Sequence, residues 1–219
     1  MDKITKTIVR NHLSYDWWKY AVGIIGVLLV WNFVYTIATR VPPEKLMEIY
    51  LVNDYIEEPE KLEELGNKAL VHFPELQQIS FYDIPLLVEA NEMPKDQGDM
   101  ALQQKLMVTV AAQQGDIYIF SQKTFDVFAK QGLFLDLEPY ITDGTIKIDP
   151  SKTYKASIEQ EDGTKLEPKV YGISVEGNEV LENAGYNTKG KILGIPAYSK
   201  KIPLAIRMVN LMLSGELVK

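Results

Sequence analysis

Two patterns of apolar residues divide the chain. From Trp17 to Ala38 the sequence WWKYAVGIIGVLLVWNFVYTIA is apolar except at Lys19 and Asn32, whereas beyond Val41 apolar residues come in short runs separated by polar stretches bearing Gly and Pro. At about 1.5 Å per residue the first segment reaches roughly 33 Å as a helix, enough to cross a bilayer. Trp17, Trp18 and Tyr20 sit where an interfacial aromatic belt belongs, and Lys3, Lys6, Arg10 and Lys19 lie on or before that edge. The basic flank predicts a cytoplasmic N-terminus and an external C-terminal domain, in a single-pass protein of the cell membrane. A cleaved signal peptide and a buried core helix are the alternatives. A secretory h-region is shorter, about 7–15 residues, and YTIATR makes a poor small-x-small cleavage site. The expected division is therefore a cytoplasmic tail over 1–16, a transmembrane helix over 17–38, a linker over 39–45 and an extracytoplasmic domain over 46–219.

Beyond the linker, whose RVPPEK holds two φ-fixing prolines, strand and helix patterns alternate. LMEIYLV (46–52) reads as a strand, 59–72 as a helix begun by Pro59 with Leu62, Leu65, Ala69 and Leu70 on one stripe, and QISFYDI (78–84) as a second strand. LLVEANEMPKDQGD reads as a loop, 100–114 as a helix, GDIYIFS (115–121) as a buried strand and 123–132 as a short helix stopped by Gly132. The stretch 133–169 is irregular and charged, with Asp-Gly turn signals at 143–144 and 162–163 that suit a hairpin. VYGISV (170–175), a short helix in GNEVLENAGYN, KILGIP (191–196) and a helix begun by Pro203 and stopped by Gly215 complete the chain. Leu204, Ala205, Met208, Val209, Leu211 and Met212 surround that last helix so broadly that at least two neighbours must cover it. The alternation predicts one α/β domain with a mostly parallel sheet flanked by helices.

Charge and composition narrow the function. Setting aside Lys3, Lys6, Arg10, Lys19 and Arg40, with Asp2 and Asp16, leaves 18 basic and 28 acidic residues from Val41 onward, a formal charge of −10. Such a field repels nucleic acid and anionic headgroups. There is no cysteine, which excludes disulfides, thiolate metal sites and a cysteine nucleophile. With His12 on the predicted cytoplasmic side and His72 at a helix end, no catalytic triad or histidine metal site assembles in the domain. Glu57/Glu58 and Glu63/Glu64 have the spacing of a solvated helix face, GTIKIDPSK lacks the context of a phosphate loop, and ITDGTIKIDP has too few spaced carboxylates for calcium. No cofactor, metal or catalytic residue is expected.

Several fragments, in order, resemble the extracytoplasmic solute-binding proteins of ABC importers, the larger type that includes sugar binders. They are ALVHFPELQQISF, ALQQKLMVTVAAQQGDIYIF, FDVFAKQGLFLDLEPYI, KVYGISV and AYSKKIPLAIRMVNLMLSGE. The resemblance implies the fold of one lobe of such a receptor. In that family the chain leaves the first lobe at the equivalent of Tyr171-Gly172, builds most of a second lobe and then returns. Here only the sixteen residues EGNEVLENAGYNTKGK (176–191) intervene, enough to reverse the chain and too few for a lobe with its own core.

In open α/β sheets ligands bind outside the carboxyl ends of the strands. That rule selects Asn53 and Asp54 after the first strand, Asp83 at the second, Ser121 and Gln122 after the third, and Tyr171 near the strand that leaves the lobe. Their polar groups suit hydroxyls or amides of a ligand, with capping of the following helix as the competing role of Asp54 and Ser121. Trp17, Trp18 and Trp31 are the only tryptophans, so the domain has none to stack on a sugar. Tyr50, Tyr82, Tyr118 and Tyr171 are the aromatic substitutes, and at their spacings core packing competes with that role. The leading expectation is a membrane-anchored interaction or sensing module, partnered by a transporter, a sensor or a second copy, because one lobe leaves a bound solute half in water. The alternative is a solute-binding component of an importer, two chains supplying the walls of the cleft for a small solute. An enzyme is least supported.

Overall fold

The computed structural model describes residues 6–90, 92–159 and 163–218. Lys3 of the basic flank and Asp162 of the second turn signal lie outside them. The chain divides into two units, Met1–Pro42 and Pro43–Lys219.

The first unit is one helix, α1 (Lys6–Thr39). It begins well before Trp17, so the segment read as a tail is helical from Lys6 onward. Its stretch Trp17–Thr39 is long and apolar enough to cross a membrane, and none of it is buried in protein.

The second unit is built from β1 (Leu46–Val52), α2 (Pro59–Leu70), β2 (Gln78–Ile84), α3 (Gln97–Ala111), β3 (Ile117–Ser121), α4 (Gln122–Lys130), α5 (Glu138–Thr142), β4 (Thr153–Ala156), β5 (Lys169–Ser174), α6 (Glu179–Asn183), β6 (Lys191–Gly194) and α7 (Ile202–Ser214). The strands make one sheet in the order β2-β1-β3-β6-β5-β4. β1 runs parallel to β2 in the register Leu46↔Gln78 to Val52↔Ile84, and parallel to β3. β6 is antiparallel to both β3 and β5, and β4 is antiparallel to β5 with a bulge at Tyr154/Lys155.

The sheet is thus mixed, not mostly parallel as the alternation suggested. A parallel return needs a crossover that runs the full length of the sheet, usually on a helix. The link from β5 to β6 carries only the five-residue α6 and positive-φ turns at Gly177, Gly185 and Gly190. It turns the chain back at the same end of the sheet, and the strand comes out antiparallel.

Each sheet face carries its own core. One is mainly aliphatic, with Met47, Ile49, Leu51, Ile119 and Leu193 meeting Leu62 and Leu65 of α2 and Ala205, Met208 and Val209 of α7. The other is aromatic: Tyr50 and Tyr118 stack at 5.1 Å, Tyr118 and Phe120 at 5.3 Å, and Phe125 and Phe134 at 4.3 Å. The Phe125–Phe134 pair lies so close to the sheet that a Cβ at Gly194 would sit 2.6 Å from Phe134 and one at Gly172 would sit 2.7 Å from Phe125. Of the residues expected to be covered on the last helix, Ala205, Met208, Val209, Leu211 and Met212 are buried, Leu204 is only partly so, Ile206 joins them, and Gly215 ends the helix with φ 70°.

The amino ends of β1 and β3 are locked to the segment before α7. Asp116 is buried, and its carboxylate accepts from Ser199 Oγ at 2.9 Å, from the Glu48 amide at 3.1 Å and from Lys201 Nζ at 3.0 Å. Lys201 Nζ also donates to the carbonyls of Leu46 at 2.8 Å and Pro43 at 3.0 Å. Two fragments that were separate pieces of the family resemblance, Gly115-Asp116 and Ser199-Lys200-Lys201, are therefore one network in space.

Two outcomes follow for stability in urea. Asp116→Ala leaves a mostly buried ammonium without its counter-charge and is expected to cost about 3 kcal/mol. Gly194→Ala forces Phe125 and Phe134 off the sheet and is expected to cost about 2 kcal/mol by overpacking.

Candidate functional site

The carboxyl ends of β1, β2 and β3 form a rim on which most of the selected residues meet. Asn53 follows β1 with φ 65°, a left-handed conformation that asparagine tolerates better than most side chains. From there its amide N donates to Ile84 O at 3.2 Å and its Nδ2 to Leu86 O at 3.0 Å, while its Oδ1 accepts from the Ser121 amide at 3.1 Å. One side chain ties β1 to the ends of β2 and β3.

Asp54 accepts from the Tyr55 amide at 2.9 Å and, with its other oxygen, from the Asn187 amide at 2.7 Å. Ser121 caps α4, its Oγ accepting from the Thr124 amide at 3.3 Å and donating to Glu89 Oε2 in a short bond. Thr124 Oγ1 donates to the same Glu89 oxygen at 2.7 Å. Gln122 turns away from this cluster: its Nε2 donates to Tyr154 Oη at 3.0 Å, which donates to Asp126 at 2.9 Å. Asp83 is half-buried opposite Leu51 in the β1–β2 register. Tyr171 does not join the rim. It is buried in the aromatic core, three residues before the end of β5 and thus about 10 Å along the strand from it.

Lys191 completes the rim and was not singled out by the sequence. It opens β6 opposite Ser121, is 5% exposed, and sends its Nζ to Asn53 O at 2.5 Å and Val52 O at 3.4 Å. The ammonium lies 5.4 Å from the centre of the Tyr186 ring. Burial lowers its pKa below that of an ordinary lysine, while the Asp54 and Glu89 carboxylates act in the opposite sense. Tyr186 is also buried, donates its hydroxyl to Val52 O at 2.7 Å, and has its pKa pushed up by burial. The one signal for Lys191 in the sequence is a lysine set between Gly190 and the apolar ILG of a strand. Glu89 was hidden in a stretch read only as a loop.

The polar groups of the rim are thus engaged with the chain's own backbone and with one another. Beside them Tyr55 and Leu87, which follow the ends of β1 and β2, are exposed. Among the described residues no group of three or more acids or histidines is placed to hold a metal.

No family model matches the chain, and no curated protein matches it. Solved structures do. CpMnBP1 with mannotriose bound is 17% identical with a TM-score of 0.38, over 66% of this chain and 34% of that one. An ABC substrate-binding protein from Listeria monocytogenes in complex with cycloalternan is 19% identical with a TM-score of 0.37, over 58% and 28%. The N-glycan transport solute binding protein from Streptococcus pneumoniae is 18% identical with a TM-score of 0.35, over 66% and 30%. The chain spans about a third of the length of the structures it matches. It is similar to part of these binding proteins, and at such identities and scores nothing about a ligand passes from them to it.

The buried lysine makes stability depend on pH in a defined sense. Its folded-state pKa lies below the unfolded value, so in the alkaline range the unfolded chain binds more protons and stability from this group rises with pH. Lys191→Met removes that contribution. The melting temperature of the wild type relative to Lys191→Met is expected to rise from neutral pH to about pH 10, the upper limit being set by the ordinary tyrosine pKa.

Proposed function

We propose that this chain is a membrane-held, extracytoplasmic binding component of the ABC-importer type, one lobe standing where the resembled receptors have two. In this reading residues 1–16 are a cytoplasmic tail, 17–38 the membrane span, 39–45 the linker and 46–219 the external domain. The rim around Asn53, Asp54, Ser121 and Lys191 is one wall of a binding surface, and a second protein, a transporter subunit or another copy, supplies the other.

The observation that carries the reading is the pairing of a fixed polar rim with exposed Tyr55 and Leu87 at the carboxyl ends of the strands. A ligand site normally buries most of its ligand, and a rim of this kind covers one side only. The tyrosine ring offers an apolar face of the sort that stacks on a sugar, in a domain without tryptophan.

A second reading, an interaction or sensing module that binds no solute, has one observation in its favour. The carboxylate of Asp54 and the amide of Asn53 are already engaged within the chain and have little left to offer a small ligand.

The absence of cysteine makes single-cysteine variants unique handles. In native membranes, Tyr55→Cys is expected to crosslink to a subunit identified by mass spectrometry as part of an importer, and Val71→Cys, exposed after α2, is not. Adding mannotriose or cycloalternan to the full chain together with that subunit is expected to raise the melting temperature, by about 2.7 kcal/mol of stabilisation at 100-fold excess over Kd. The Tyr55→Ala variant should lose this effect. Crosslinking with no effect of either sugar would favour the second reading, and no importer subunit at Tyr55→Cys would overturn the first.

A further inference from the structure

An open cavity of about 430 Å3 lies between α7, the α2–β2 connection and the segment 145–147, with His72, Phe73, Lys147, Arg207, Asn210 and Leu211 in its lining. The α2–β2 connection joins the amino end of β2, so the cavity is separate from the strand-end rim. Its volume is in the range of small-molecule sites, roughly 300–1,000 Å3.

Three features of its wall are fixed by the fold. Arg207 is held over the Phe73 ring at 4.8 Å, donates through Nη2 to His72 O at 2.8 Å, and pairs through Nη1 with Glu75. Asn210 pins the segment 145–147 to α7, its Oδ1 accepting from the Lys147 amide at 3.0 Å and its Nδ2 donating to Thr145 O at 2.8 Å. The Lys147 side chain itself is exposed at the cavity, and among the described residues no hydrogen bond or ion pair holds it. Phe73 and Leu211 are buried and supply an apolar floor. Four nitrogen-bearing side chains, those of His72, Lys147, Arg207 and Asn210, thus gather over an apolar surface in a domain that is otherwise strongly acidic.

We infer that this cavity binds a small organic carboxylate with an apolar body. Arg207, which lines the cavity, already holds a carboxylate, that of Glu75, which defines the chemistry the guanidinium accepts. Lys147 and Arg207 are balanced by Glu216 in the lining and by Glu75, so the free cavity carries no surplus charge and a monoanion disturbs that balance less than a dianion does. His72 donates a hydrogen bond in either neutral tautomer or as imidazolium. In this arrangement Glu75 is an internal competitor, and a ligand gains most where it displaces that carboxylate from Arg207.

The test uses the full chain in zwitterionic nanodiscs, with benzoate, its neutral isostere benzamide and inorganic phosphate as probes, read as apparent Kd from thermal shifts. Benzoate is expected to bind, benzamide and phosphate about tenfold more weakly or not at all. Lys147→Glu, at an exposed position whose backbone rather than side chain holds the segment, is expected to weaken benzoate about tenfold while keeping the melting temperature of the free protein. Glu75→Gln, which frees Arg207, is expected to tighten it. Equal binding of benzoate and benzamide, a preference for phosphate, no binding of benzoate, or benzoate binding indifferent to both variants would each overturn the inference. Because none of these residues belongs to the strand-end rim, the outcome is independent of the importer reading.

Discussion

The domain depends on a carboxylate taken out of water. Asp116 sits at the amino ends of the central strands, and its burial is tolerable only because Ser199, Lys201 and the Glu48 amide all donate to it. Those donors come from the start of β1 and from the segment just before α7, about 150 residues later. The network therefore does what a disulfide does in a cysteine-rich domain, joining distant parts of a chain that has no cysteine. Lys201 adds two backbone carbonyls, so the ammonium is satisfied along with its partner and the pair is not left as a bare buried charge.

From this lock the two cores follow. β1 and β3 are held in register at one end, their alternate side chains go to opposite faces, and each face meets helices of matching character. The aliphatic face takes α2 and α7, whose apolar positions fit a broad flat surface. On the other face, glycines at 172 and 194 let a stacked phenylalanine pair rest directly on the strands. At the far end the left-handed Asn53 and the buried Lys191 play the corresponding part, converting three strand ends and a returning loop into one rigid rim.

Much of this was legible in the residues. The strand LMEIYLV and the Pro203 to Gly215 helix were readable because each shows a run or stripe of apolar side chains bounded by strong stop signals. Strand direction was not: parallel and antiparallel strands that are buried on both faces carry the same apolar run, and what separates them is the course of the β5–β6 link, whose short helix and glycine turns bring the chain back at the same end of the sheet. β4 was missed as a partner of β5 because TYKA is short, half exposed and set in a charged stretch. At the rim, Asn53, Asp54 and Ser121 were found by the strand-end rule, whereas Lys191 escaped it because β6 runs the other way and contributes its amino end. The strand-end rule points to Tyr171 by its place along a strand and says nothing of its face, and alternation puts it in the aromatic core. The cavity beside α7 could not be read at all, since it depends on Asn210 reaching a segment more than sixty residues earlier.

The position of β6 between β3 and β5 has a consequence in time. β3 is apolar and buried throughout its first four residues, yet one of its two edges has no partner until residues 191–194 exist. Roughly seventy residues must be added after β3 before the gap in the middle of the sheet can close, and α7 and the Asp116 network only follow that closure. A nascent chain thus carries an open strand edge and an unmatched acid until β6 and the segment that opens α7 have emerged, so that these late residues decide when, and not merely how well, the domain becomes safe from aggregation.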